Sequence, residues 1–340
     1  MERYWLSRGQ RTLRLEKFQY QSQAQLERGF LHCDTISLMI RKLLLLFTFS
    51  LSACSPLATD SPESVLSPKG APVVVASTTF LADITLNVAG DRLQVEALLP
   101  FGADPHSYQP IPQDVAKIAD SDLLIVNGAE YEHFLEDIIE SAGGERMVIE
   151  ASAGLSVRTD VESEHGVDPH LWLNPNNVIT YVENIRNGFV KFDPEGANVY
   201  KANADAYIEQ LGALDNWIVE QVASIPVERR LLVTNHDNLG YFAERYGFTV
   251  IGTVVEGTSS NAAPSAQQMA ALIDQIRATG APAIFLDAAE SPTLANQIAS
   301  DAGVRVVIDL YFGSLTDGPP ARTYLNMMKH NVTKIVEALK

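Results

Sequence analysis

The sequence predicts an α/β protein of two similar lobes built on parallel sheets. Short β-branched runs alternate with helical stretches, and four such runs fall in each half. Most of the runs are continuously apolar, as expected for strands buried on both faces. Between the halves lies a long region of helical periodicity without strand signals.

In chain order, strands are expected at residues 73–77, 94–99, 123–127 and 147–150, with helices at 112–119 and 130–141. A helix over 176–192 follows and is broken by Asp193-Pro194-Glu195-Gly196. Residues 195–224 then place Tyr200, Tyr207, Leu211, Leu214, Trp217, Ile218 and Val222 at helical spacing. One helix of that length would run about 45 Å; the alternative is two shorter helices kinked at Gly212. The second half repeats the alternation, with strands at 230–234, 249–253, 283–286 and 304–310 and helices at 265–278 and 291–302. The expected organisation is an N-terminal lobe over 72–192, a linking helix over 193–225 and a C-terminal lobe over 226–340. A continuous helix has no loop to flex, so small lobe shifts and loop movements are expected rather than a wide hinge closure.

The chain has 340 residues, 25 Lys+Arg against 42 Asp+Glu, and a formal net charge of −17. That surplus of acid argues against nucleic acid as a partner, which requires a basic footprint. Two cysteines exclude a disulfide scaffold and a Cys-rich zinc module. The charge is unevenly placed. Residues 1–53 hold eight bases and four acids, whereas 54–340 hold 17 bases and 38 acids and so carry −21. The basic head ends in Met39-Ile40-Arg41-Lys42, a mainly apolar run from Leu43 to Leu51, and then Ser52-Ala53-Cys54. This is the order of a secretory signal over 39–53, and the run is shorter than the ~20 residues of a membrane span. Small residues directly before a cysteine resemble a bacterial lipobox, which implies cleavage before Cys54 and lipidation of its thiol. The Ser- and Pro-rich stretch after Cys54 suits a flexible tether over 54–71. Residues 1–38 lie upstream of a complete signal and read as a non-native or unstructured extension, with Met39 as the start.

Seven histidines are present: His32, His106, His133, His165, His170, His236 and His330. Three share a setting. His106 and His170 each end an Asp-Pro-His tripeptide, the first just after a strand, and His236 closes the first strand of the second half. Strand C-terminal ends are where open α/β sheets bind ligands. Proline stiffens each loop, and Asp104 and Asp168 are placed to accept the second ring N–H. Spacings of 64 and 66 residues bring the three from separate segments, which suits a metal site in a cleft between lobes. Any one of these histidines alone would read as a hydrogen-bonded loop residue; the set reads as a site. His133 and His330 fall on expected helices as solvated residues, and His165 in an acidic loop.

Taken in order, these segments resemble the metal-specific (zinc and manganese) solute-binding lipoproteins of bacterial ABC importers, cluster 9 or cluster A-I. The resemblance covers about residues 72–340. It rests on the lipobox, Asp104-Pro105-His106-Ser107-Tyr108, Asp168-Pro169-His170-Leu171-Trp172, Asn235-His236-Asp237 with Gly240-Tyr241-Phe242 and Tyr246-Gly247, and Tyr324-Leu325-Asn326-Met327-Met328. It implies two (β/α)₄ lobes joined by one long rigid helix, with a metal held in the cleft by His106, His170 and His236. The third family position is usually Glu in manganese members and His in zinc members; His236 and the three imidazoles favour Zn²⁺, with Mn²⁺ the alternative. One departure stands out. The family's fourth ligand is a carboxylate after the last strand, where this chain has Gly313; Asp309, Asp317 or a water is left to fill that role.

The expected function is therefore a lipid-anchored receptor on the extracytoplasmic face, binding a divalent transition-metal ion for an ABC permease and acting as a monomer. A metallohydrolase also uses three histidines and a water, but no His-Glu-x-x-His motif occurs. An adhesin on the same fold would keep the anchor without needing the histidines.

Overall fold

A computed structural model of the chain describes residues 70–159, 166–255 and 264–340. Cys54, the expected signal, nearly all of the expected tether, His32 and His165 lie outside the described residues.

The first sheet contains β1 (Val73–Ala76), β2 (Gln94–Ala97), β3 (Leu123–Val126) and β4 (Met147–Glu150), ordered β2-β1-β3-β4 and parallel throughout. A two-residue antiparallel ladder joins β5 (Arg158–Thr159) to β6 (Val167–Asp168). The second sheet contains β7 (Leu231–Thr234), β8 (Thr249–Thr253), β9 (Ala283–Asp287) and β10 (Arg305–Leu310), ordered β10-β9-β7-β8 and also parallel. Read from its other edge, this is the order of the first sheet. Each sheet therefore has its switch point beside its first strand, between β1 and β3 and between β7 and β9. The crossovers leave in opposite directions there and open a crevice at the strand C-termini.

The helices are α1 (Thr79–Ala89), α2 (Pro112–Ala119), α3 (Leu135–Ala142), α4 (Pro175–Phe192), α5 (Ala197–Ala223), α6 (Gly240–Tyr246), α7 (Ala266–Thr279), α8 (Pro292–Ala302) and α9 (Tyr324–Leu339). Helix α3 starts later than the apolar spacing predicts. Ala129 and Glu130 sit at φ 53° and 59°, which a right-handed helix cannot include. His133 consequently lies in an exposed turn rather than on a helix.

Helix α5 runs for 27 residues, about 40 Å, without a break at Gly212. Its buried stripe includes Tyr200, Tyr207, Leu211, Leu214, Ile218 and Val222, while Trp217 is only partly buried. It packs along α4 and also meets α1 and α9, so it is embedded in a single apolar core that reaches both sheets. Asp215 ties this helix to its neighbours. Its carboxylate accepts from Asn176 Nδ2 at 3.1 Å, Arg245 Nε at 3.0 Å and the Tyr246 hydroxyl at 2.8 Å. Burial pushes the Asp215 pKa up, but the Arg245 and Tyr246 bonds outweigh it and the net shift is downward. Asp215→Ala is expected to cost about 2 kcal/mol, a figure kept low because Arg245 is partly solvated. Because the folded pKa is depressed, the cost should be full at neutral pH and fade as acid protonates Asp215. Urea denaturation at pH 7 and at pH 3.5 checks both the size and the trend.

Candidate metal centre

The repeated Asp-Pro-His segments share a local cause. Proline lacks an N–H, so the aspartate side chain caps the next donor in the chain. Asp104 Oδ1 accepts from the His106 backbone N–H at 3.0 Å, and Asp168 Oδ1 accepts from that of His170 at 3.0 Å. Asp168 Oδ1 also bonds the His170 ring at Nδ1, 2.9 Å away, which turns Nε2 toward the cavity. Asp104 is tied further to the Ser107 hydroxyl at 2.8 Å. His106 lies in the loop after β2, His170 two residues after β6, and His236 two residues after β7. At His236 the Thr234 hydroxyl donates to the backbone carbonyl at 2.7 Å, and Glu290 Oε1 meets Nδ1 at 2.8 Å.

The three histidines converge. His170 Nε2 lies 3.3 Å from His106 Nε2 and 3.4 Å from His236 Nε2. One ring nitrogen from each lies within 4.8 Å of the others, and this is the only such cluster of three ligating groups among the described residues. His170 and His236 are buried, and His106 is half-buried with its ring edge-on to Tyr131. The imidazoles border a cavity of about 20 Å³, which admits an ion or a water and nothing larger. Asp104, Asn238, Asp287, Glu290, Phe312 and Gly313 are among its other lining residues.

Trp172 is fully buried behind His170 and Tyr131. It stacks on Phe80 with ring centroids 4.4 Å apart and lies 5.2 Å from the His170 ring. Its indole N–H donates to the Phe312 carbonyl at 2.7 Å, fixing the loop that carries Gly313. From the other side, the Tyr324 hydroxyl donates to the Trp172 carbonyl at 2.7 Å.

The electrostatics distinguish the three imidazoles. Burial, reinforced by the neighbouring imidazoles, holds the pKa values of His106 and His170 well below the free value. Burial pushes His236 down as well, but the Glu290 carboxylate at Nδ1 more than reverses it, and its pKa is raised. Burial also pushes Asp168 and Asp287 up to about 6.

Two candidates for a fourth ligand do not reach the site. Asp309 and Asp317 are exposed and neither lines the cavity. Asp309 sits at φ 62°, and its carbonyl accepts from the half-buried His330 ring at 2.7 Å, so His330 is tethered rather than freely solvated. Gly313 does line the cavity. A Cβ there would meet Tyr131 Oη at 3.5 Å and Pro105 Cδ at 3.6 Å, ordinary contacts that leave room for that atom. Glu290 and Asn238 were not anticipated from the sequence; the only hint was that Glu290 closely follows a strand C-terminus.

The family model of the zinc-uptake complex component A, periplasmic (ZnuA), matches residues 74–338. The chain belongs to this family. It is 35% identical over 267 residues to the manganese-binding lipoprotein MntA of Halalkalibacterium halodurans, covering 78% of this chain and 88% of that protein. It is 31% identical over 314 residues to the metal ABC transporter substrate-binding lipoprotein SsaB of Streptococcus sanguinis, covering 88% of this chain and 99% of that protein. Among solved structures, the periplasmic zinc binding protein TroA from Treponema pallidum aligns with a TM-score of 0.74 at 30% identity, covering 79% of this chain and 99% of that one. The chain is thus a solute-binding protein of the metal ABC importer group and not an enzyme.

Proposed function

We propose that the protein is a lipid-anchored extracytoplasmic receptor that captures one Zn²⁺ ion through His106, His170 and His236 and delivers it to an ABC permease. The spacing of the imidazole nitrogens carries the zinc reading. A tetrahedral ion with metal–nitrogen bonds of about 2.0–2.1 Å has ligand atoms about 3.3–3.4 Å apart. The two Nε2 separations on His170 are 3.3 and 3.4 Å. Three imidazoles also suit a borderline ion better than a hard one. Manganese is the second reading, favoured by the name of the MntA relative. Against it, the ligand cluster contains no carboxylate.

The lipid anchor is assigned to Cys54 from its lipobox-like flank and from relatives that are lipoproteins by name. No helix among the described residues is long and apolar enough to cross a membrane. The lobe limits 72–192 and 226–340, with the link at 193–225, are part of the same reading. The embedded α5 and the Trp172–Phe312 bond favour release by loop movement and small lobe shifts over a wide opening.

Competitive titration of the purified protein with a chromogenic chelator tests this. One equivalent of zinc is expected, with a dissociation constant below about 1 μM and at least about tenfold tighter than manganese. Failure to bind any divalent ion in that range would refute the receptor, and tighter manganese binding would refute the choice of ion.

Acid should oppose capture, because a protonated imidazole cannot ligate. His236 has the raised pKa and is protonated first as pH falls, while His106 and His170 stay neutral to lower pH. Zinc affinity should therefore be flat at alkaline pH and begin to fall above the free-imidazole value of about 6.5. Affinity that stays constant down to pH 5 would contradict the assignment of His236.

A further inference from the structure

Accepting that the three histidines hold the ion, a second question is what balances its charge. Three neutral imidazoles contribute none, and a dication held by mostly buried ligands needs a nearby anion. Three carboxylates line the cavity: Asp104, Asp287 and Glu290. Asp104 is occupied by the His106 amide and the Ser107 hydroxyl. Asp287 uses one oxygen for the Ala289 N–H at 2.8 Å and the other for the Phe312 N–H.

Glu290 differs from both. Its side chain is only 7% exposed, and Oε1 is bound to His236 Nδ1. Oε2 is buried with no hydrogen-bond partner. An unsatisfied carboxylate oxygen out of water is costly, and a cation with its hydration supplies what it lacks. Asn238 is 2% exposed, lines the same cavity, and its side-chain oxygen is also without a partner. The cavity thus gathers buried acceptors that nothing in the protein satisfies.

The fold puts Glu290 there deliberately. It follows β9, the neighbour of β7, at the switch point of the second sheet. The turn that carries it is pinned by Asp287, whose carbonyl accepts from the Glu290 N–H at 3.1 Å.

We propose that Glu290 is the charge-balancing carboxylate of this site. It supplies from β9 the negative charge that the loop after β10 does not supply at Gly313. Its charge acts on the ion through His236 and through the free Oε2. The site then keeps an all-imidazole set of direct protein ligands while gaining the anion a dication requires.

The test compares zinc affinity of the full chain with Glu290→Gln, Glu290→Ala and the double variant Glu290→Gln with Gly313→Asp. Glutamine keeps an acceptor for the His236 Nδ1–H and removes only the charge. The proposal expects Glu290→Gln to bind zinc about 10–100-fold more weakly, the range seen when partners behind metal ligands are removed. Gly313→Asp in that background should recover at least about tenfold, since a Cβ at 313 has room. Thermal unfolding of the metal-free variants, unchanged from the parent for Glu290→Gln, excludes a folding defect. Parental affinity in Glu290→Gln would reduce Glu290 to a positioning residue and overturn the proposal, as would the absence of any recovery in the double variant. If the parent itself binds no divalent ion, the receptor reading fails instead, so the two failures are distinct.

Discussion

Replacing His170 with alanine is expected to reduce zinc affinity by well over 100-fold, more than the loss expected on removing any partner behind a ligand. His170 Nε2 lies 3.3 Å from one partner nitrogen and 3.4 Å from the other, so its loss removes one of three ligands that face one another. Without it, His106 and His236 belong to loops of opposite sheets with no shared ligand between them. The fold should survive, because Asp168 keeps the backbone N–H of residue 170 as a donor and the loop is further held by Trp172. Chelator competition measures the affinity, and thermal unfolding of the metal-free protein shows that the loss is local. Zinc binding within about tenfold of the parent would remove His170 from the site.

The largest stability effect is expected at Trp172. Its side chain is fully buried, stacked on Phe80, and hydrogen-bonded to Phe312. Trp172→Ala removes an aromatic packing volume, about 3–5 kcal/mol, and leaves the Phe312 carbonyl without its donor, about 1 kcal/mol or more. Trp172→Phe separates the two contributions. It keeps most of the packing, should cost about 1–2 kcal/mol, and frees the loop carrying Gly313. Urea denaturation gives the stabilities. Zinc affinity should fall in Trp172→Phe as well, because the indole supports both His170 and the opposite wall of the cavity.

Much of the site was legible in the sequence because its cause is local. Asp-Pro-His announces itself twice, since proline removes one donor and aspartate caps the next. His236 was legible because a continuous apolar strand ends beside it. The long helix was legible from its apolar spacing, and its passage through Gly212 follows from burial of Leu211 and Leu214.

What was missed depends on distant parts of the chain. Glu290 is a single acid in a turn, and its importance arises from its contact with His236, 54 positions away, made when β9 lies beside β7. No local pattern carries that. The late start of α3 depends on two residues at positive φ, neither of them glycine, so the usual sequence marker was missing. The β5–β6 ladder has two residues per strand, too short for alternation to register. The signal segment and Cys54 remain readings of the sequence.

In the proposed receptor one ion is held by imidazoles from three separate segments. X-ray absorption spectroscopy of the zinc-loaded protein tests it most directly, because imidazole backscattering counts the histidines around the metal. Four-coordinate zinc is expected, with three imidazole nitrogens at about 2.0–2.1 Å and one oxygen. A shell dominated by oxygen with one histidine or none, or any sulfur ligand, would contradict it.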